Sequence, residues 1–370
     1  MNPKILIDYI KQNGIENLVN KKYIDIKYHS KYPNLIMLKY SQINSDFTDP
    51  IVRICRGIIL DKDNDWKVIN YNYSKFANYG ENYADKIDFS VSHFYEKMDG
   101  SYIQLYFYDN AWHCATSGTP DGSGKVGDFG FTFAKLFWRV FNELGYKLPT
   151  DTSCSYAFEL LTPFNMIVVQ HKENKIVLHG GRNLQTFREI NPIVEAHHLG
   201  WECVKTFPLN SIEAALEMTK NMDGTKQEGF VVVDSSKDRY NRVKLKCEHY
   251  INLSHLKESC TASKRQMLDI IRKNESSEFL TYFPQFKDMF FEIKIKYERL
   301  LGQIEGYLDA IKGISDRKLF ASYATTQKFS GILFAVKFGK TASVKSGLAE
   351  VQIKTLEDWL GIKTETEKTK

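Results

Sequence analysis

Cysteine is scarce and scattered. The six thiols, at positions 55, 114, 154, 203, 247 and 260, form no C-x-x-C pair and stand near no histidine at the spacing of a zinc site. A disulfide framework and a structural zinc are therefore not expected, and reduced thiols in a cytosolic chain are the simplest reading. Long apolar runs are missing too: none approaches the roughly 20 residues of a helical membrane span. The opening Met1-Asn2-Pro3-Lys4-Ile5-Leu6-Ile7-Asp8 has no basic start, apolar centre and small-residue cleavage site. The expectation is a soluble, cytoplasmic protein with no membrane partner. No internal repeat is present, and the glycine-rich stretch 117–124 lacks the G-x-x-x-x-G-K-[ST] pattern, which excludes a P-loop.

Acidic residues are absent from 317 to 349, where Arg317, Lys318, Lys328, Lys337, Lys340 and Lys345 follow one another. Net charge is +5, and residues 251–370 hold 20 Lys+Arg against 15 Asp+Glu while residues 1–250 hold 30 of each. The whole positive excess is thus C-terminal. Such a block is either a solvated helix face or a surface for a phosphate backbone.

What is present is a chain of 370 residues, 43% hydrophobic and 14% aromatic, ample for a buried core and long enough for two domains. Residues 4–20 read as one amphipathic helix with Gly14 near its end. Strand-like runs follow at 35–40, 57–61 and 66–73, then a basic, aromatic loop from Ser74 to Glu81. Asp109-Asn110 is placed as a two-residue hairpin turn between strands 102–108 and 111–116. A helix is expected over 128–144 and strands at 155–161, 166–170 and 176–179. Asn210 with Glu213 would cap a helix running to Lys220, and strands at 229–234 and 242–246 complete a mixed, mostly antiparallel α+β domain. From about Leu253 helical patterns take over, including 279–301 and 318–338. Two domains are expected, 1–252 and a helical 253–370, with disorder confined to 363–370.

Chemistry-bearing residues fall at strand ends of the first domain. Lys97 stands in Tyr95-Glu96-Lys97-Met98-Asp99-Gly100-Ser101, between two aromatic runs, with Gly100 free to take the dihedrals that turn one strand into the next. Glu159 is a charge inside the apolar run Ala157-Phe158-Glu159-Leu160-Leu161. Glu228 opens Glu228-Gly229-Phe230-Val231, and Lys244 and Lys246 alternate on one strand face, where parallel cations repel unless an anion lies against them. Taken singly, each of these reads equally well as a turn residue or an edge-strand charge.

In this order and spacing the stretches resemble the covalent nucleotidyltransferases, and most closely the phage T4-type RNA ligase 1 family. The resemblance runs from about residue 30 to 255 and rests on Lys97-Met98-Asp99-Gly100-Ser101, Arg56-Gly57, Lys75-Phe76, Phe158-Glu159 with Pro163 and Asn165, Glu228-Gly229-Phe230-Val231, and Lys244-Leu245-Lys246 with Tyr250. It implies a nucleotidyltransferase domain around a nucleotide cleft, ATP and Mg²⁺ or Mn²⁺ as cofactors, and Lys97 as the nucleophile that becomes lysyl-AMP. Lys244 and Lys246 would act with it at the phosphate. Arg56, Lys75, Phe76, Glu96 and Glu159 would contact the nucleotide, with Glu228, Asp99 and Glu159 holding the metal through water. The implied substrate is RNA with 5′-phosphate and 3′-hydroxyl ends, such as a nicked tRNA, sealed by a monomer in the cytoplasm, or in the host cytoplasm for a viral protein. The helical domain is implied to bind RNA or set tRNA specificity. Two departures stand out: Ser117-Gly118 where the family often has a basic residue, and Ala77 where a second aromatic often follows Phe76. A catalytically inactive RNA-binding descendant and a DNA-sealing or capping enzyme remain as alternatives.

Overall fold

The computed structural model describes residues 1–236, 240–256, 263–276, 279–280 and 283–362. Cys260 and the segment 363–370, expected to be disordered, lie outside the described residues. The chain divides into two compact units, Met1–Ser41 with Ser45–Ser254, and Gln42–Asn44 with His255–Lys370.

The first unit opens with α1 (Lys4–Asn13) and α2 (Ile15–Lys22), where one helix was expected. Gly14, at φ 78° and ψ 154°, lies far from helical dihedrals and divides them. Strands β1 (Ile24–Tyr28) and β2 (Leu35–Tyr40), helix α3 (Pro50–Ile54), and strands β3 (Arg56–Asp61) and β4 (Lys67–Asn70) follow. Strand β4 is shorter than the expected 66–73 at both ends: Trp66, at φ 61°, belongs to the preceding turn, and residues 71–73 lie outside the strand.

The chain continues as β5 (His93–Lys97), β6 (Ser101–Tyr108), β7 (Ala111–Thr116), α4 (Phe133–Glu143), β8 (Cys154–Leu161) and β9 (Lys175–Asn183). It then forms α5 (Pro192–Leu199), β10 (Glu202–Cys203), β11 (Thr206–Phe207), α6 (Ile212–Lys220), β12 (Gly229–Asp234), β13 (Asn241–Lys246) and α7 (Glu248–Ile251).

Three sheets result, in the orders β1-β2-β3-β4, β10-β9-β8-β6-β7 and β11-β5-β12-β13. Every pairing is antiparallel except β10 on β9. The β6–β7 hairpin turns at Asp109 and Asn110, at φ 48° and 58°, the left-handed pair that matches strand twist. Helix α4 begins later than its apolar pattern because Gly127 and Gly130, at φ 46° and 74°, hold the chain in a turn until Thr132 caps the helix through Lys135 N. The cap of α6 is Ser211 rather than Asn210, its side chain accepting from Ala214 N. The stretch 166–170 is a loop, not a strand: the N–H groups of Val168 and Val169 go to the Asp99 carboxylate.

Two cores hold the site walls. Phe137, Phe141, Tyr156, Phe158, Leu178 and Trp201 pack α4 and α5 onto the five-stranded sheet. Phe94, Phe230, Val232, Val243 and Leu245 face Ala215 of α6 from the sheet that carries Lys97.

In the second unit the long continuous helix is Lys287–Ile311, entered through the 3₁₀ turn Pro284–Phe286, so it sits further along the chain than the expected 279–301. The run 318–338 is two helices, Arg317–Ala324 and Ser330–Lys337, and at the break Tyr307 Oη donates to Tyr323 O at 2.9 Å. Among the described residues no helix is long and apolar enough to cross a membrane.

Gly229 joins the fold to the cleft. At φ 144° a Cβ there would lie 2.0 Å from Leu245 O and 2.8 Å from Lys246 Cα, so β12 and β13 approach closely only without a side chain. Gly229→Ala is expected to cost about 2–4 kcal/mol, read as a lower urea midpoint at unchanged slope.

Candidate active site

The three sheets converge on a cleft of about 410 Å³. Its floor follows from strand register. Across β5, β12 and β13 the rows are Lys97–Gly229–Lys246, Tyr95–Val231–Lys244 and His93–Val233–Arg242. Residues two apart on a strand share a face, so Lys97, Lys244, Lys246 and Arg242 meet on the cleft side while Phe230 and Leu245 turn into the core. Glu96 also lines the cleft, yet it belongs to the Phe230–Leu245 row, and its carboxylate reaches Lys205 Nζ at 4.0 Å.

Gly100 serves differently from the turn expected of it. It is not among the glycines with positive φ; instead a Cβ there would meet Leu160 O at 2.6 Å and Leu161 Cδ2 at 2.5 Å. Its absent side chain lets the segment after Lys97 lie against β8, which brings Glu159 to the cleft.

A cationic and aromatic wall stands opposite. Arg56 opens β3, and the loop carrying Lys75 and Phe76 is pinned from both sides. Lys75 N donates to Arg53 O at 2.7 Å, while Lys244 N donates to Ala77 O at 2.9 Å and Tyr79 N to Lys244 O at 2.8 Å. Ala77 is fully buried, which accounts for a small residue there. Arg56 lies 4.8 Å from the Tyr102 ring and 5.4 Å from Phe76; Lys75 lies 4.8 Å from Tyr40.

The field on this wall is strong. Burial alone would raise the Tyr40 hydroxyl, but the Lys39, Lys75 and Arg56 cations outweigh it and hold the phenol below its ordinary pKa. Burial, and then Arg56 and Lys75, also lower the Lys39 amine. Within this cluster Arg56 Nη1 is buried with no hydrogen-bond partner among the described residues. A concentration of positive charge with an orphaned guanidinium nitrogen fits an anionic ligand.

The carboxylates have distinct states. Glu228, with 6% of its side chain exposed, is ion-paired through Oε2 to Lys97 Nζ and through Oε1 to Lys246 Nζ at 3.5 Å. Burial pushes the Glu159 carboxyl up to about 8, with Lys97 pulling the other way. A neutral carboxyl suits hydrogen bonding better than holding a cation. His179 Nε2 lies 3.6 Å from Glu159 Oε2, too long for a hydrogen bond, and burial lowers the imidazole to about 3, so the contact is no ion pair near neutrality.

Asp99 does not fit the metal role expected of it. It is 3% exposed and absent from the cleft lining. Its Oδ2 accepts from Val168 N at 2.8 Å and Val169 N at 2.7 Å, and its Oδ1 accepts from Tyr250 Oη at 2.8 Å. It is a structural carboxylate that anchors the loop after β8. Among the described residues no group of three or more His, Cys, Asp or Glu side chains could hold a metal ion. Glu228 is the remaining acidic candidate, alongside oxygens that a phosphate ligand would bring.

The cleft contains residues the sequence reading passed over, Tyr40, Tyr73, Tyr102, His179 and Arg242, and it also takes in Ser117. Arg242 was within reach, since it precedes Lys244 by two on one strand and shares its face; Glu189 holds it at 2.7 and 2.6 Å. His179, stacked on Tyr73 at 5.6 Å and 22°, carries no local signal because only the β8–β9 pairing delivers it.

The family model described as RNA ligase matches residues 54–250. The chain is 28% identical over 348 residues to an RNA ligase of Rhodothermus phage RM378, covering 77% of this chain and 78% of that one. It is 26% identical over 299 residues to a protein of Autographa californica nuclear polyhedrosis virus described as a bifunctional polynucleotide kinase/RNA ligase, covering 76% of this chain and 42% of that protein. The chain thus spans less than half the length of the baculovirus protein. Among solved structures, an archaeal ATP-dependent RNA ligase has a TM-score of 0.47 at 13% identity, covering 86% of this chain and 88% of its own.

The Glu159 environment makes a pH prediction. Its folded-state pKa is raised from 4.5 to about 8, so between those values the unfolded chain releases a proton that the folded one keeps. Its contribution to stability is full below that window and falls as pH rises through it. Glu159→Gln should therefore become progressively more stable relative to wild type from about pH 5 to about pH 8, checked by parallel urea titrations.

Proposed function

The chain belongs to the T4-type RNA ligase family, and on that premise we propose that it joins RNA ends through three displacements at phosphorus that begin at Lys97. First, the free amine of Lys97 attacks the α-phosphorus of ATP: an Nζ–P bond forms, the bond to the bridging oxygen breaks, and pyrophosphate leaves with the electron pair. Next, the 5′-phosphate of an RNA end attacks the phosphorus of lysyl-AMP and releases Lys97. Finally, a 3′-hydroxyl attacks the 5′-phosphorus, loses its proton and expels AMP.

The observation that supports this most directly is the row Lys97–Gly229–Lys246 with Glu228 paired to both cations. In that arrangement Lys97 must give up both Glu228 and its proton before attack, and Lys246 is placed to keep the carboxylate company. Lys244 and Lys246 meet charge developing at the α-phosphate. Arg56 and Lys75 hold the leaving end, so that pyrophosphate departs opposite Lys97. Glu159 is suited to a ribose hydroxyl, and the Tyr73, Tyr102 and His179 rings offer a flat surface for a base. Mg²⁺ or Mn²⁺, held by phosphate oxygens and through water by Glu228, would neutralise the phosphates when bound. We assign RNA with 5′-phosphate and 3′-hydroxyl ends as the substrate, a nicked tRNA among them. The protein acts as a cytoplasmic monomer, and residues 253–370 form the RNA-specificity module.

Intact-mass measurement after incubation with each NTP and Mg²⁺ tests the first step. Wild type should gain one AMP from ATP; Lys97→Ala and Lys97→Arg should gain none, since arginine keeps the charge without an available lone pair. An adduct in either variant would place the nucleophile elsewhere. Lys246→Ala should lower the adenylation rate on the order of 10²- to 10³-fold, whereas Lys75→Ala should act mainly on KM. Equal effects on kcat would mean the two roles are exchanged or shared.

For the helical unit, Lys318 and Lys340 are the informative cations, because both are exposed. Lys337 is less useful, as its Nζ donates to Lys312 O at the end of the long helix. Lys318→Glu/Lys340→Glu should weaken RNA binding and flatten its log–log salt dependence by roughly 0.7 to 0.9 per lost phosphate contact. An unchanged slope returns these cations to a solvated helix face.

A further inference from the structure

A second surface of the first unit has the composition of a nucleic-acid contact and takes no part in the nucleotide cleft. We propose that Phe129, Phe131, Phe164 and Arg139 form a platform on which an unpaired base of the RNA stacks. The proposal rests on the RNA-ligase reading above.

Phe129 stands at the tip of a tight loop closed by the Lys125–Thr132 bridge and by Val126 N donating to Phe131 O at 3.0 Å. Its side chain does little for the core: the residue is 54% exposed. Beneath it, the Phe131 ring lies nearly parallel at 6.0 Å and 22°, and Phe164 meets both rings edge-on at 5.2 and 5.6 Å. Arg139, from the middle of α4, covers Phe131 and Phe164 at 5.3 and 5.1 Å with 42% of its side chain still exposed. An exposed ring beside a guanidinium plane is the pairing that unstacked bases use.

Charge favours RNA over a protein partner. Lys125 and Lys135 are exposed and make no ion pair among the described residues, and together with Arg139 they outnumber the loop's one carboxylate, the exposed Asp128. Arg139 has only a long contact, 3.7 Å, with Glu143. The platform is also tied to the chemistry. Asn165, next to Phe164, donates to Ser101 Oγ at 2.8 Å and Leu160 O at 2.7 Å, and the same loop supplies both N–H groups to Asp99. Ser101 is four residues from Lys97, at most about 14 Å of extended chain. The loop that carries Phe164 is thus hydrogen-bonded to the segment that leads directly out of Lys97.

The test uses the full chain and a fluorescein-labelled, 5′-phosphorylated single-stranded RNA. Phe129→Leu keeps apolar bulk but removes the π face, and it should weaken RNA binding and raise the KM for joining by about 5- to 150-fold, the range of base–aromatic stacking. Phe129→Trp should restore both. Lysyl-AMP formation, which uses none of these residues, reports separately on the ligase reading: if wild type forms no adduct, that reading fails first. If wild type forms the adduct and joins RNA while Phe129→Leu binds and joins equally well, the platform is refuted. A shift in sedimentation with unchanged RNA binding would also refute it, making the rings a protein contact. Should Phe129→Leu fold poorly, Arg139→Gln provides the same comparison from the exposed side of α4.

Discussion

The cleft depends on the contact between β12 and β13 at Gly229, where main chain meets main chain with no room for a side chain. That approach sets Lys97 and Lys246 in one row. Glu228, the residue before it, is placed to pair with both. Two amines are thereby fixed by backbone register, and the buried carboxylate that pairs with both enters from the residue just before β12.

Around that row the protein gathers more positive than negative charge, at a cost. Against the upward push of burial, Lys39, Lys75 and Arg56 hold the half-buried Tyr40 hydroxyl below its ordinary pKa, and Arg56 Nη1 has no hydrogen-bond partner among the described residues. Nearby, burial makes Glu159 and His179 neutral near pH 7, so the interior side of the cleft offers hydrogen bonds and ring faces rather than charge. The two sides suit the two ends of a nucleotide: a cationic wall for phosphates and a neutral, aromatic one for ribose and base. Asp99 belongs to neither side: one carboxylate oxygen accepts from the loop after β8 and the other from Tyr250 of α7.

The strands that carry the site were legible because their signals are local. Aromatic and β-branched runs marked β5, β6, β12 and β13, and period-2 alternation placed Lys244 beside Lys246. Helix limits were less legible, since Gly14, Gly127, Gly130 and the break after Ala324 act through backbone dihedrals and tertiary hydrogen bonds that apolar periodicity does not register.

What the sequence determined by itself was a set of charged candidates and their order: Arg56, Lys75, Lys97, Glu159, Glu228, Lys244 and Lys246, all of which the cleft brings together. Only the tertiary structure decided how each is used. It turned Asp99 inward, sent the Glu96 side chain to Lys205, and delivered His179 and Tyr73 to the cleft from strands and loops with no motif of their own. The physical reason is that a residue's type is local, whereas its desolvation, its partners and the face it occupies depend on strands far apart in the chain.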